Sequence, residues 1–272
     1  MATPTPSRHV AIVTGANHGI GAATAERFAA DGIAVVIAYL RGRVTSDPAT
    51  PERYQENRMR SGDEVARRVV DHGARAIAIE ADLLDSSTPA MLFERAEAEL
   101  GPVDIVINNA SGWMSGDTFA PGAPDSAGRV TPDVTAELFD RTFGVDARAG
   151  ALMIAEFARR LIARHGEWGR IVGLTSGGPN GFPSEVTYGA AKMALENYTM
   201  AAATELGRRG VTANMIHPPI TDSGWVNDGI REFAATSSEH FHVAEPAEVA
   251  NVIAWLCSDE ARMVTGNVIR MR

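Results

Sequence analysis

Short runs of β-branched and other apolar residues recur along the chain, separated by longer stretches in which apolar positions return every third or fourth residue. HVAIVTG (9–15), AVVIAYL (34–40), ARAIAIEAD (74–82), VDIVINNA (103–110), GRIVGLTS (169–176), VTANMIHP (211–218) and NVIRMR (267–272) predict strands. GIGAATAERFAADG (19–32), SGDEVARRVVDHG (61–73), TPAMLFERAEAELG (88–101) and one long stretch over 137–166 predict helices. Strands that are apolar throughout are buried on both faces, so the alternation predicts an α/β fold: a doubly wound, Rossmann-type parallel sheet with helices on both sides. No internal repeat or linker interrupts it, and residues 9–272 read as a single domain behind a short lead-in of Pro and Thr at 1–8.

Two segments break the rhythm. Residues 41–60 follow the second strand and carry two prolines and five arginines; residues 114–133 follow the fourth and are rich in Gly, Pro and Asp. Both leave C-terminal strand ends, the edge at which open α/β sheets bind ligands, so each is either a surface insertion or part of a binding site.

Composition narrows the class. Of the 272 residues 45% are hydrophobic and 22% charged, with a net charge of −9 and no long Lys/Arg block. That argues against nucleic acid or an anionic membrane as partner. The longest apolar run, IAVVIAYL (33–40), is too short for a bilayer, and residues 1–8 lack the apolar segment of a secretory signal. A cytoplasmic protein is expected. The single cysteine, Cys257, excludes an internal disulfide and reads as a core thiol.

The first strand runs into VTGANHGIGAATAERFA, where Gly15, Gly19 and Gly21 would permit a tight turn and close approach of a pyrophosphate to the start of a helix. His18 in that turn reads as a solvated loop side chain. Farther on, VTYGAAKMA (186–194) sets Tyr188 and Lys192 four apart, on one helix face. By spacing alone the pair is either an ordinary surface contact or a phenol and an ammonium held together for chemistry.

At this point the sequence resembles the classical short-chain dehydrogenases/reductases over roughly residues 9–270, with the family's motifs in order. TGANHGIG (14–21) resembles the cofactor-binding turn, implying contacts from Gly15, Asn17, His18, Gly19, Ile20 and Gly21. ADLLD (81–85) is similar to the segment that meets the adenine, implying Asp82 and Leu83. NNA (108–110) implies Asn109 and Ala110, and NMIHPPIT (214–221) implies Pro218, Ile220 and Thr221 in the loop closing over the nicotinamide. Tyr39 and Arg41, at the end of the second strand, fall where the family meets the adenosine ribose.

The resemblance makes Ser176, Tyr188 and Lys192 the catalytic set. Ser176 would hold a substrate carbonyl and Tyr188 would protonate it. Lys192 would grip the nicotinamide ribose and lower the phenol pKa toward neutrality. Asp146 occupies a fourth catalytic position, where the family usually has asparagine, and Pro219 stands where glycine is usual. The ending GNVIRMR lacks the family's usual acidic, glycine-rich close.

The activity so implied is NAD(P)(H)-dependent hydride transfer between cofactor and a small-molecule ketone or secondary alcohol, with a ketone or 3-oxoacyl-type reductase foremost. Ala38-Tyr39-Leu40-Arg41, with Arg43 beyond, contains no carboxylate to repel a ribose 2′-phosphate, so NADP(H) is expected over NAD(H). The resemblance also implies a homotetramer, assembled through the long helices at 137–165 and 188–208. A dinucleotide-binding sensor without turnover, motivated by Asp146 and Pro219, is the alternative; a lyase or epimerase is a third. Trp113 and Trp225 either wall the substrate pocket or pack in core and lid, and Trp255 reads as core. His240 and His242 lack the partners of a metal site, and none is expected.

Overall fold

The computed structural model describes residues 9–42, 51–122, 130–178, 180–238 and 240–272. The lead-in at 1–8 and Arg43 lie outside them, as do parts of both long loops. All seven predicted strands form: β1 (Val10–Thr14), β2 (Ala34–Tyr39), β3 (Ala76–Glu80), β4 (Ile105–Asn108), β5 (Gly169–Leu174), β6 (Val211–His217) and β7 (Val268–Arg270). They make one parallel sheet in the order β3-β2-β1-β4-β5-β6-β7. The chain reverses direction across the sheet between β1 and β4, which opens a crevice at their C-terminal ends.

Alternate residues of each strand feed two cores. Val35 and Ile37 point into one with Phe28, Val65 and Ile253, while Val36 and Ala38 point into the other with Phe93, Phe157 and Leu206. A side chain as deeply buried as Phe28 or Phe157 contributes about 3 kcal/mol relative to exposure. The helices covering the first face are α1 (Gly19–Ala30), α3 (Asp63–Asp71) and α9 (Pro246–Cys257). Around the second lie α4 (Thr88–Glu99), α6 (Gly150–Ala163) and α7 (Val186–Leu206). Three further helices, α2 (Glu52–Met59), α5 (Ala136–Thr142) and α8 (Asp228–Thr236), lie at the C-terminal edge or lead into the second face.

Two departures from the sequence pattern matter. The stretch predicted as one helix over 137–166 is α5, a π-helical segment Phe143–Ala149, then α6. Asp146 lies inside this wider π turn and is buried there. Trp255, expected in the core, is 42% exposed: α9 buries Ala250, Ile253, Ala254 and Cys257, and Trp255 falls on the opposite side of the helix. Cys257 is buried as expected, and burial pushes its thiol far above the usual range. No helix among the described residues is long and apolar enough to cross a membrane.

Candidate active site

The crevice is stitched together at its base by Thr14 and Asn109. Thr14 Oγ1 accepts the backbone N–H of Asn109 (3.0 Å) and Ala110 (3.1 Å) and donates to Ile107 O (3.1 Å). Asn109 Nδ2 returns bonds to Thr14 O (2.8 Å) and Gly15 O (3.1 Å). Its amide is thus spent in holding the glycine-rich turn against β4. Gly15, at φ +64°, lies so close that a Cβ would come within 2.9 Å of Ala110 Cα.

The turn fits a dinucleotide. His18 caps α1 in extended conformation without a side-chain bond to the helix N–H groups, and the first turn carries no acidic residue. Backbone N–H groups there face outward at the positive end of the helix, the arrangement that receives a pyrophosphate. Gly19, at φ +56°, has Ser223 across from it, where a Cβ would come within 2.9 Å of the serine Cβ. Ile20 packs against the core below.

Other residues expected at the cofactor are placed less simply. Asn17 is buried and donates to Arg60 O (2.9 Å). His18, expected in solvent, is half-buried, with its ring edge-on to Tyr54. Burial, then the charges of Arg58 and Arg60, push its pKa down to about 4. Tyr39 is buried, its hydroxyl 3.0 Å from Ser61 Oγ. Asp82 is exposed and accepts the Leu84 N–H at 2.9 Å, beside the partly buried Leu83.

Arg41 has a partner that the sequence alone does not show. No carboxylate stands in 38–41, but the β2–β3 register pairs Tyr39 with Glu80 and so delivers one from the next strand. Arg41 grips it in a two-pronged pair, Nε to Oε1 at 3.0 Å and Nη2 to Oε2 at 2.6 Å. Those hydrogen bonds hold Glu80 below the usual carboxylate range.

The loop after β6 is braced internally. Thr221 Oγ1 donates to Pro219 O (2.9 Å), Trp225 Nε1 to Thr221 O (2.8 Å), and Arg231 pairs with the buried Asp222 at 2.5 Å. Pro218 and Ile220 flank these anchors, and Trp225 serves the packing of this lid.

Beyond β5, Phe182 seats against Gly177 and Gly189, docking the loop that carries Ser176 onto the first turns of α7. Tyr188 and Lys192 lie one turn apart there, the Lys192 ammonium 5.4 Å from the centre of the Tyr188 ring. Lys192 Nζ is 2.9 Å from Asp146 Oδ1, and Asp146 Oδ2 accepts the Gly112 N–H at 2.7 Å. Burial works against the Lys192 charge, but Asp146 and then Tyr188 hold its pKa above the ordinary value.

Here too the sequence expectation is corrected. Tyr188 is pushed up to about 12, not down toward neutrality. Enclosure is the largest cause; Lys192 pulls the other way, and Asp146, Glu185 and Tyr54 add to the rise. Glu185 and Tyr54 were not legible as site residues. Glu185 is buried one turn before Tyr188 and accepts the Trp113 indole N–H at 2.7 Å. His242 pairs with Glu248 at 2.9 Å, and no group of His, Cys, Asp and Glu able to hold a metal occurs among the described residues.

Known proteins resemble the chain over nearly its whole length. The profile of a family described as "Enoyl-(Acyl carrier protein) reductase" matches residues 15–271. The chain is 31% identical over 263 residues to the uncharacterized oxidoreductase YjdA of Bacillus subtilis (strain 168), covering 96% of this chain and 94% of that one. It is 32% identical to cis-4-hydroxycyclohexanecarboxylate dehydrogenase of Sinomonas cyclohexanicum, covering 97% and 94%. Among solved structures, the angucycline C-6 ketoreductase LanV with bound NADP superimposes with a TM-score of 0.76 at 32% identity, over 97% of this chain and 94% of that one. These matches define an oxidoreductase, of a family that uses nicotinamide cofactors. The chain belongs to the short-chain dehydrogenase/reductase family.

Proposed function

We propose that the protein is an NADPH-dependent reductase of ketones. The observation that carries this reading is the Tyr188–Lys192 pair on α7, placed at the same sheet edge as the α1 N-terminus, which no side chain caps. Ser176 holds the substrate carbonyl oxygen by a hydrogen bond, and Tyr188 donates its phenolic proton to that oxygen. When bound, the nicotinamide supplies the hydride that reaches the carbonyl carbon. Lys192 orients the cofactor ribose and keeps positive charge beside the phenolate that Tyr188 becomes.

The raised Tyr188 pKa supports the reductive direction. A nascent alkoxide is the base of an acid with pKa about 16, like water, so a phenol near 12 still protonates it downhill. Alcohol oxidation needs the phenolate first, and that form is scarce at neutral pH. For the cofactor, Arg41 stands two residues beyond the end of β2, and pairing with a 2′-phosphate would require it to share or release Glu80. The names of the relatives, a cyclohexane-ring dehydrogenase and a polycyclic ketoreductase with NADP, favour ring ketones as the first substrates to try.

The test is loss of reduced-nicotinamide absorbance with NADPH and a panel of cyclic, aryl and acyl-thioester ketones. Turnover on at least one is expected. The Asp146–Lys192 pair favours a second reading, a cofactor-binding sensor, because a carboxylate offsets the ammonium that activates Tyr188. NADPH binding without turnover across the panel would select it.

A further inference from the structure

One helix, α3, is enough to connect β2 to β3, so α2 is additional. It buries no residue in the core and lies instead across the C-terminal edge of the sheet. Asn57 Nδ2 donates to Ser223 O at 2.9 Å, and Asn17 Nδ2 to Arg60 O at 2.9 Å, so the segment spans from the glycine-rich turn to the lid loop. Gly224 abuts the backbone of Arg53 and Tyr54.

Tyr54 is the only aromatic residue of α2. Its ring centre lies 6.0 Å from that of His18 and 6.5 Å from that of Trp113, edge-on to both. Trp113 is bonded to Glu185 at the foot of α7, and Phe182 stands 6.3 Å from the Tyr188 ring. Edge-on rings therefore run from His18 through Tyr54 to Trp113, while Phe182 stands beside the proton donor. Burial is the largest cause holding the Tyr54 phenol above its ordinary pKa, and Asp146, which also raises Tyr188, adds to it. Asn57 and Asn17 hold the C-terminal end of the segment, and Gly224 meets its first turn.

We propose that Tyr54 is a specificity-determining residue: with Trp113 it forms an aromatic wall of the substrate pocket beside Tyr188, selecting flat aryl ketones over saturated ketones of the same size. This rests on the ketone-reductase reading above. A conjugated ring meets aromatic edges and faces with quadrupolar attraction in addition to area burial, whereas a puckered saturated ring gains area alone.

The experiment compares kcat/KM for α-tetralone and its saturated counterpart decalone, with NADPH, in wild type, Tyr54→Phe and Tyr54→Ala. The wild type is expected to prefer tetralone, Tyr54→Phe to keep the preference, and Tyr54→Ala to lose about three- to tenfold of it. Equal loss on both ketones, the mark of a merely structural role, or no loss on either overturns the proposal. Turnover of neither ketone by the wild type counts against the reductase reading instead. The wall is then read by calorimetric binding of naphthol to the same three proteins: weaker binding in Tyr54→Ala supports it, and unchanged affinity overturns it.

Discussion

Lys192 Nζ lies 2.9 Å from Asp146 Oδ1, in a pair whose side chains are 2% and 0% exposed. A buried ammonium without a counter-charge is costly, and removing one partner of such a pair typically destabilises by about 3–5 kcal/mol. In Asp146→Asn the amide oxygen can still accept from Lys192, so a smaller loss is expected. Its clearer effect is electrostatic: the charge that raises Tyr188 disappears while Lys192 keeps its own pull. The pH–rate profile for alcohol oxidation should therefore move to lower pH than in the wild type. Superimposable profiles on one substrate would mean that Asp146 does not act on Tyr188.

Gly19 sits at φ +56° with Ser223 opposite, so a β-branched residue is disfavoured by both backbone and space. Gly19→Val should weaken cofactor binding by at least about tenfold, as a shifted turn withdraws its N–H groups. Fluorescence titration with NADPH measures it, and an unchanged affinity would displace the cofactor from this turn.

Substitutions of Arg41 and Glu80 are expected to move cofactor choice in opposite senses. Glu80→Gln removes the carboxylate that competes for the guanidinium, and should raise the preference for NADPH over NADH. Arg41→Ala should lower it by about tenfold, the scale of one charge-assisted contact. Ratios of kcat/KM for the two cofactors decide; no change in either variant would leave 2′-phosphate recognition to other residues.

His18 links stability to pH. Its folded pKa is depressed to about 4 against an ordinary value of 6.5, so between those values the unfolded chain binds a proton that the folded one refuses. Stability is therefore lost as pH falls through that window. His18→Gln should show a smaller drop in Tm from pH 7 to pH 4 than the wild type, by calorimetry, and equal drops would contradict the assignment.

How much of this was legible follows from which forces are local. The strands were, because Val, Ile and Ala fill both faces of a parallel sheet and leave a continuous apolar signature. Tyr188 and Lys192 were, because one helix turn fixes their separation. Glu80 was not seen beside Arg41, since only the β2–β3 register joins them across the sequence. The π segment holding Asp146 keeps an ordinary helical composition, so periodicity could not reveal it. The expected fall of the Tyr188 pKa failed because proximity to Lys192 was readable, whereas the enclosure that outweighs it was not. Tyr54 lay within an arginine-rich insertion with nothing to tie it to the site. Trp255 differs from its buried neighbours on α9 only in the side of the helix it occupies.

Tyr188 is the group proposed to donate the proton, and its hydroxyl can be removed alone. Tyr188→Phe removes the hydroxyl and keeps the ring in its place beside Phe182 and Lys192. With a ketone that the wild type reduces, the variant should bind NADPH with undiminished affinity and melt at a similar temperature. Its kcat should nevertheless fall by about a thousandfold. A folded Tyr188→Phe protein that reduces the same ketone at the wild-type rate would contradict that role.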